Sequence, residues 1–82
     1  MDKTRLRWAC RRGMLELDLI LLPFFENQFD QLLESDQLAF EQLLSEPDQD
    51  IYAWILNFQT CLNPCFVDIL VKIRHHHDIN FS

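Results

Sequence analysis

The sequence predicts an all-α protein, a compact five-helix bundle forming a single small domain. Three observations carry that expectation. The 82 residues include one glycine and three prolines, too few turn-formers for a sandwich or barrel, which needs a turn every few residues. Apolar residues make up 49% of the chain and aromatics 12%, enough for a core and too many for a disordered chain. The apolar positions recur with helical period, and glycine or proline marks several of the breaks between them. A chain of this length builds one domain over residues 1–82, with a tail from about residue 75 expected to be flexible.

Each helix has its own signals. The first is expected from about Lys3 to Arg12, with Leu6, Ala9 and Cys10 on one face. Gly13 then closes it, because glycine enters the left-handed conformation without steric cost. The second runs from about Met14 to Asp30 on a stripe of Met14, Leu17, Leu21 and Phe24, and Pro23 is expected to kink or split it. "LELDL" alternates like a strand, but "LILL" breaks that period at once. The third starts after Ser35 as N-cap and buries Leu38, Phe40, Leu43 and Leu44. Asp48 is expected to cap a fourth, with Ile51, Trp54, Ile55 and Phe58 as its core stripe. Asn63 and Pro64 read as N-cap and first helical residue of a fifth, with Phe66, Val67, Leu70 and Ile73 inward. Short connections make sequence neighbours packing partners.

Composition removes whole classes of function. One glycine cannot build a dinucleotide fingerprint or a P-loop, both of which need several for close approach to phosphate. The net charge of -6 is uneven: Lys3, Arg5, Arg7, Arg11 and Arg12 crowd the first segment, and an acidic body follows. That body repels nucleic acid, and the basic arm reads first as solvated surface, so no nucleic-acid partner is expected. The apolar run "LILLPFF", Leu19 to Phe25, is too short to span a bilayer. Cys10, Cys61 and Cys65 form no disulfide framework and suit a reducing, cytoplasmic setting.

No catalytic or metal constellation emerges. His75, His76 and His77 point about 100° apart on a helix and cannot converge on zinc. They read as a solvated helix end suited to the C-terminal dipole. Cys65 near a helix start lacks a neighbouring base. Trp8 lies opposite Leu6 and Cys10, beside Arg5 and Arg12, and suits either a protein contact or packing against the second helix. In "RRGMLELD", Arg12 ends one helix, Gly13 turns the chain and Glu16 enters the next, which places guanidinium, backbone and carboxylate at one exposed corner.

"WACRRGMLELDLILLPFF", Trp8 to Phe25, resembles the signature region of the SdhE (YgfY) family of succinate dehydrogenase assembly factors. The family's Arg-Gly-x-x-Glu motif is matched by Arg12, Gly13 and Glu16, followed by Leu17 and Asp18. "FEQLLSEPDQDIYAWILN", Phe40 to Asn57, is similar to its second block, whereas the segment from Cys61 departs from the pattern. The resemblance implies a five-helix assembly chaperone, not an enzyme. It implies binding to the flavoprotein subunit of succinate dehydrogenase, and in bacteria also that of fumarate reductase, and promotion of covalent FAD attachment there. The chain itself is expected to hold no cofactor, acting on FAD bound to the partner, and to be a monomer when free. The implied partner-binding residues are Arg5, Trp8, Arg11, Arg12, Gly13, Met14, Glu16 and Asp18. The lack of a transit peptide before the motif points to a bacterial cytoplasmic member. Antitoxins have also been described in the family, and a small acidic helical protein suits that role as an alternative.

Overall fold

A computed structural model describes residues 2–81, with side-chain surroundings through residue 78. Five α-helices follow one another: α1 (Lys3–Ala9), α2 (Leu15–Gln28), α3 (Glu34–Leu43), α4 (Asp48–Ile55) and α5 (Pro64–Phe81). A single 3-10 turn, Phe29–Gln31, continues α2. The all-α expectation holds, with several boundaries moved for identifiable reasons.

Helix α1 begins at an Asp2 cap that accepts the Arg5 N–H, and it ends at Ala9, short of the Arg12 expected from the sequence. The chain leaves the helix there because the Arg12 side chain turns back and donates to the Ala9 carbonyl at 3.2 Å. Gly13 adopts φ +82 as anticipated. Helix α2 runs unbroken through Pro23 instead of splitting. Proline removes the donor that would meet the Leu19 carbonyl. Leu19 lies on the solvent side, so water can satisfy that oxygen, while Ile20, Leu21, Phe24 and Phe25 are buried around the site.

Helix α3 starts one residue before Ser35, with Leu33 at the cap position and no side-chain cap bond. Its inward residues are Ala39, Phe40 and Leu43, while Leu38 is exposed. Asp36 is buried and receives the Lys72 ammonium from α5. Pro47, not Asp48, holds the cap position of α4. Asn57 at φ +66 turns the chain out of that helix, so Phe58 is exposed and does not extend the core stripe. Asn63 caps α5 as expected, accepting the Cys65 N–H at 2.9 Å.

The core gathers around α5, which packs against α2, α3 and α4. Its inward line is Phe66, Ile69, Leu70, Ile73 and His76, with Val67 outside. Phe66, Leu70 and Ile73 are inward as expected, and Ile69 takes the place expected of Val67, which completes the i, i+3, i+4, i+7 pattern. Phe40 sits among Phe24, Phe25 and Phe29 at centroid distances of 5.6, 6.3 and 5.7 Å. Arg74 donates to the carbonyls of Ile55 and Trp54 at 3.0 and 2.7 Å and closes the end of α4.

Of the histidine run expected as a solvated helix end, His75 is exposed and His77 half-buried, but His76 is not solvated. His76 continues the buried line of α5 and is 7% exposed. Its ring stands edge-on to Phe24 at 5.7 Å and lies 3.5 Å from the Asn27 side-chain nitrogen. Burial pushes its pKa below the ordinary 6.5, and the neighbouring His77 acts in the same direction. The unfolded chain therefore takes this proton first as pH falls. The stability tied to neutral His76 is complete above pH 6.5 and is lost on descent below it. Thermal melts across that range are expected to show a decline that His76→Leu removes. An identical decline in both proteins would rule out His76 as its source.

Candidate functional site

The site begins with what Arg12 does. Its side chain is 16% exposed and points into the molecule. Nε donates to Asp48 Oδ1 at 2.5 Å, one terminal nitrogen to the Leu44 carbonyl at 2.5 Å, and the other to the Glu46 carbonyl at 2.8 Å. Together with the Ala9 contact, one guanidinium ties the end of α1 to the turn between α3 and α4. The backbone N–H of Arg12 is held in turn by Asp18 Oδ1 at 2.6 Å. The exposed guanidinium expected at this corner is thus an internal tether. Arginine suits the task because its planar fork presents several donors in fixed directions.

The other sequence-derived residues divide into supports and surface. Asp18 is half-buried in support of the turn, and Met14 is half-buried against the core. Gly13, Glu16, Arg5 and Arg11 are exposed. Trp8 is 65% exposed and does not fold back on α2. The Arg11 guanidinium lies 5.7 Å from its ring centroid, a cation–π distance. A Cβ added at Gly13 meets nothing within 4 Å, so the position is open to solvent and constrained by its backbone conformation alone.

The basic arm is largely neutralised from within. Arg7 pairs with Glu26 at 2.8 Å, Lys3 pairs with Asp30, and Arg12 pairs with Asp48. Arg5 and Arg11 are left to give the corner its positive character, with Arg5 3.9 Å from Asp2.

Two residues of this surface escaped the sequence reading. Leu15 and Leu19 are 68% and 53% exposed. They stand one turn apart on the solvent face of α2, with Glu16 beside them. The signal was in "LELDL": the inward stripe used Leu17 and left Leu15 and Leu19 without a core assignment. The exposed assembly around Gly13 is therefore an aromatic ring under a cation on one side, and two leucines beside a carboxylate on the other. Large apolar groups among charges, exposed on a small helical surface, are what a protein contact uses.

The arrangement offers no nucleophile. Cys10 lies fully buried beneath it, and burial pushes its thiol up to about 12. Its neighbours Arg12 and Asp18 act in opposite directions and are secondary. Among the described residues, no group of three or more His, Cys, Asp or Glu side chains is placed to hold a metal.

This division of labour sets opposite expectations for two residues of the same motif. Arg12→Ala strips donors from half-buried acceptors and is expected to lower unfolding free energy by about 2–3 kcal/mol, with Arg12→Lys recovering only part. Glu16→Ala is expected to cost about 0.3–0.5 kcal/mol, its share of helix-terminus stabilisation. Urea unfolding measures both, and equal losses would contradict the tether.

Known proteins resemble this chain along most of its length. The family profile described as "Flavinator of succinate dehydrogenase" matches residues 4–77. The chain is 47% identical over 76 residues to the FAD assembly factor SdhE of Vibrio cholerae serotype O1, covering 93% of this chain and 88% of that protein. It is 46% identical over 78 residues to the FAD assembly factor SdhE of Colwellia psychrerythraea, covering 90% of this chain and 86% of that one. A solution structure of a UPF0350 protein matches with a TM-score of 0.79 at 45% identity, covering 95% of this chain and 83% of that one.

Proposed function

The chain belongs to the family of flavinators of succinate dehydrogenase, and from that premise we propose that it is an FAD assembly factor acting as a non-enzymatic chaperone. It binds the flavoprotein subunit of succinate dehydrogenase, and that of fumarate reductase as a second partner, and promotes covalent FAD attachment. The observation that carries this reading is the exposed face around Gly13: Trp8 with Arg11, then Leu15, Glu16 and Leu19. Arg5, Arg12, Met14 and Asp18 flank or hold that face. The names of the relatives supply no support for an antitoxin role.

The mechanism we favour is a population shift. Attachment draws on a nucleophile of the partner and on the flavin's own reactivity. This chain needs only to bind the aligned conformation of its partner better than the misaligned ones. Its burial of Cys10 and its neutralised basic arm fit a docking role better than a chemical or nucleic-acid one. No helix of the described residues is long and apolar enough to cross a membrane. We take the working protein to be a cytoplasmic monomer that pairs with its client transiently.

The chain on its own is proposed to hold no FAD. A groove of about 740 Å³ does exist, lined by Phe24, Leu33, Val71, Lys72, His75 and His76 among others. It lies between the end of α2, the turn into α3 and the middle of α5, and with Gly13 as the chain's one glycine it has no glycine-rich loop to cradle a pyrophosphate. Calorimetric titration with FAD is expected to give no saturable binding, and a low-micromolar dissociation constant would overturn this.

The docking assignment is tested at Glu16 and Gly13. If Glu16 enters a charge-assisted contact that closes on binding, Glu16→Ala removes about 2–5 kcal/mol of affinity. Covalent flavin on the partner, read by in-gel fluorescence at limiting protein, is then expected to fall sharply while the fold persists. Gly13→Arg is expected to be worse, adding bulk at the corner and disfavouring φ +82. Asp68→Ala, on exposed α5 surface, serves as control. Normal flavinylation by Glu16→Ala would remove the corner from the interface.

A further inference from the structure

We infer that Asp48, 36 residues along the chain from Arg12, is a positioning residue for the docking corner and acts through that arginine. The inference rests on the reading of the Gly13–Glu16 corner as the partner-binding surface. Nothing packs against Gly13 within 4 Å of a would-be Cβ, so the corner is shaped by what holds its flanks. On one flank the Arg12 N–H is fixed by Asp18 Oδ1, two residues beyond Glu16. On the other, the Arg12 head is fixed by the α3–α4 turn, through the carbonyls of Leu44 and Glu46 and the carboxylate of Asp48.

Asp48 is the one charged acceptor in that set. Neutral carbonyls hold any well-placed donor, but a charge-assisted bond is shorter and stronger and selects the pose of the guanidinium. Its carboxylate is 34% exposed and the Arg12 side chain 16%, so water screens the pair less than a surface pair. Asp48 also lies in the first turn of α4, where any carboxylate complements the helix dipole. Asp50 shares that first turn, but the Arg12 guanidinium lies on Asp48. The dipole role is common to both acids. The arginine role belongs to Asp48.

Without the Asp48 charge, the Arg12 head loses its fixed pose and the corner samples conformations that do not dock. The partner then meets a smaller competent fraction, and the apparent dissociation constant rises by the inverse of that fraction. This differs from a merely structural role, because it couples Asp48 to Arg12 and spares Asp50.

The test compares Asp48→Asn with Asp50→Asn in the full chain, each in wild-type and Arg12→Ala backgrounds. One readout is amide hydrogen exchange of residues 12–16 in the free protein. The other is the dissociation constant for the purified flavoprotein subunit of succinate dehydrogenase. Asp48→Asn is expected to speed Arg12 amide exchange and to raise the dissociation constant, each about tenfold, while Asp50→Asn stays within about twofold. In the Arg12→Ala background, Asp48→Asn is expected to add little, since the interaction it removes is already broken. Equal effects of the two asparagine variants, or a full Asp48→Asn loss persisting beside Arg12→Ala, overturns the inference. If Asp48→Asn does not fold, Asp48→Ser keeps a residue suited to a helix start and carries the same two outcomes. If the wild-type chain does not bind the flavoprotein, the docking reading falls, and the exchange measurement alone decides whether Asp48 positions the corner.

Discussion

One guanidinium holds together the corner where α1, α2 and the α3–α4 turn meet. Arg12 reaches the last carbonyl of α1, two carbonyls of the α3–α4 turn and the Asp48 carboxylate, while its own N–H rests on Asp18 of α2. The end of α1, the start of α2 and the α3–α4 turn, the last of these 32 to 36 residues away, are thereby fixed to one another at a single residue. The same residue immediately precedes the sole glycine, so the direction in which the chain leaves α1 and enters α2 is set by this network. Lysine has the charge but not the divergent planar donors, and a point cation satisfies one or two of these acceptors at a time.

The network is also an answer to a compositional constraint. Helices commonly end on a glycine in the left-handed conformation, which satisfies the last carbonyls. With one glycine, which lies in the link between α1 and α2 beyond the end of α1, this chain ends its helices differently. Arg12 closes the end of α3 through the Leu44 carbonyl, and Arg74 closes α4 through the carbonyls of Trp54 and Ile55. Asn57 supplies the left-handed residue after α4, a role asparagine tolerates better than most. Arginine side chains arriving from elsewhere in the fold thus do what glycine does locally in other proteins. A consequence is that helix ends here depend on tertiary structure, and tertiary structure depends on the helix ends.

This interdependence explains what was legible in the sequence. The five helices were readable because apolar spacing, Gly13, Pro47 and the Asn63–Pro64 pair are local signals. Boundaries at Ala9, Glu34 and Asp48 moved because Arg12, Asp36 and Asp48 serve partners remote in sequence, and no window of neighbours reveals those. The stripe of α5 was right at Phe66, Leu70 and Ile73 and wrong only at Val67, because Val67 and Ile69 are both apolar and burial chose between them through the elements packed on each side. His76 was misread for a related reason: polar residues at a helix end look solvated until Phe24 and Asn27 are placed against them. At the site, the motif residues were legible from the resemblance, but their division into inward Arg12 and outward Glu16 was not. Both are charged residues near a glycine, and charge alone does not say which way a side chain turns.

The position of α5 bears on how the chain comes into being. It is made after α2, α3 and α4, all of which pack against it. On a ribosome, Phe24, Phe40, Ile51 and Ile55 emerge before Ile69, Leu70 and Ile73, the residues that enclose them, have been synthesised. The nascent chain can form helical turns early, but its core must wait for α5. The surface around Gly13 inherits that schedule through Arg12, whose acceptors sit on the α3–α4 turn that α5 braces. A chain halted before α5 therefore carries the whole Arg-Gly-x-x-Glu string without its native shape.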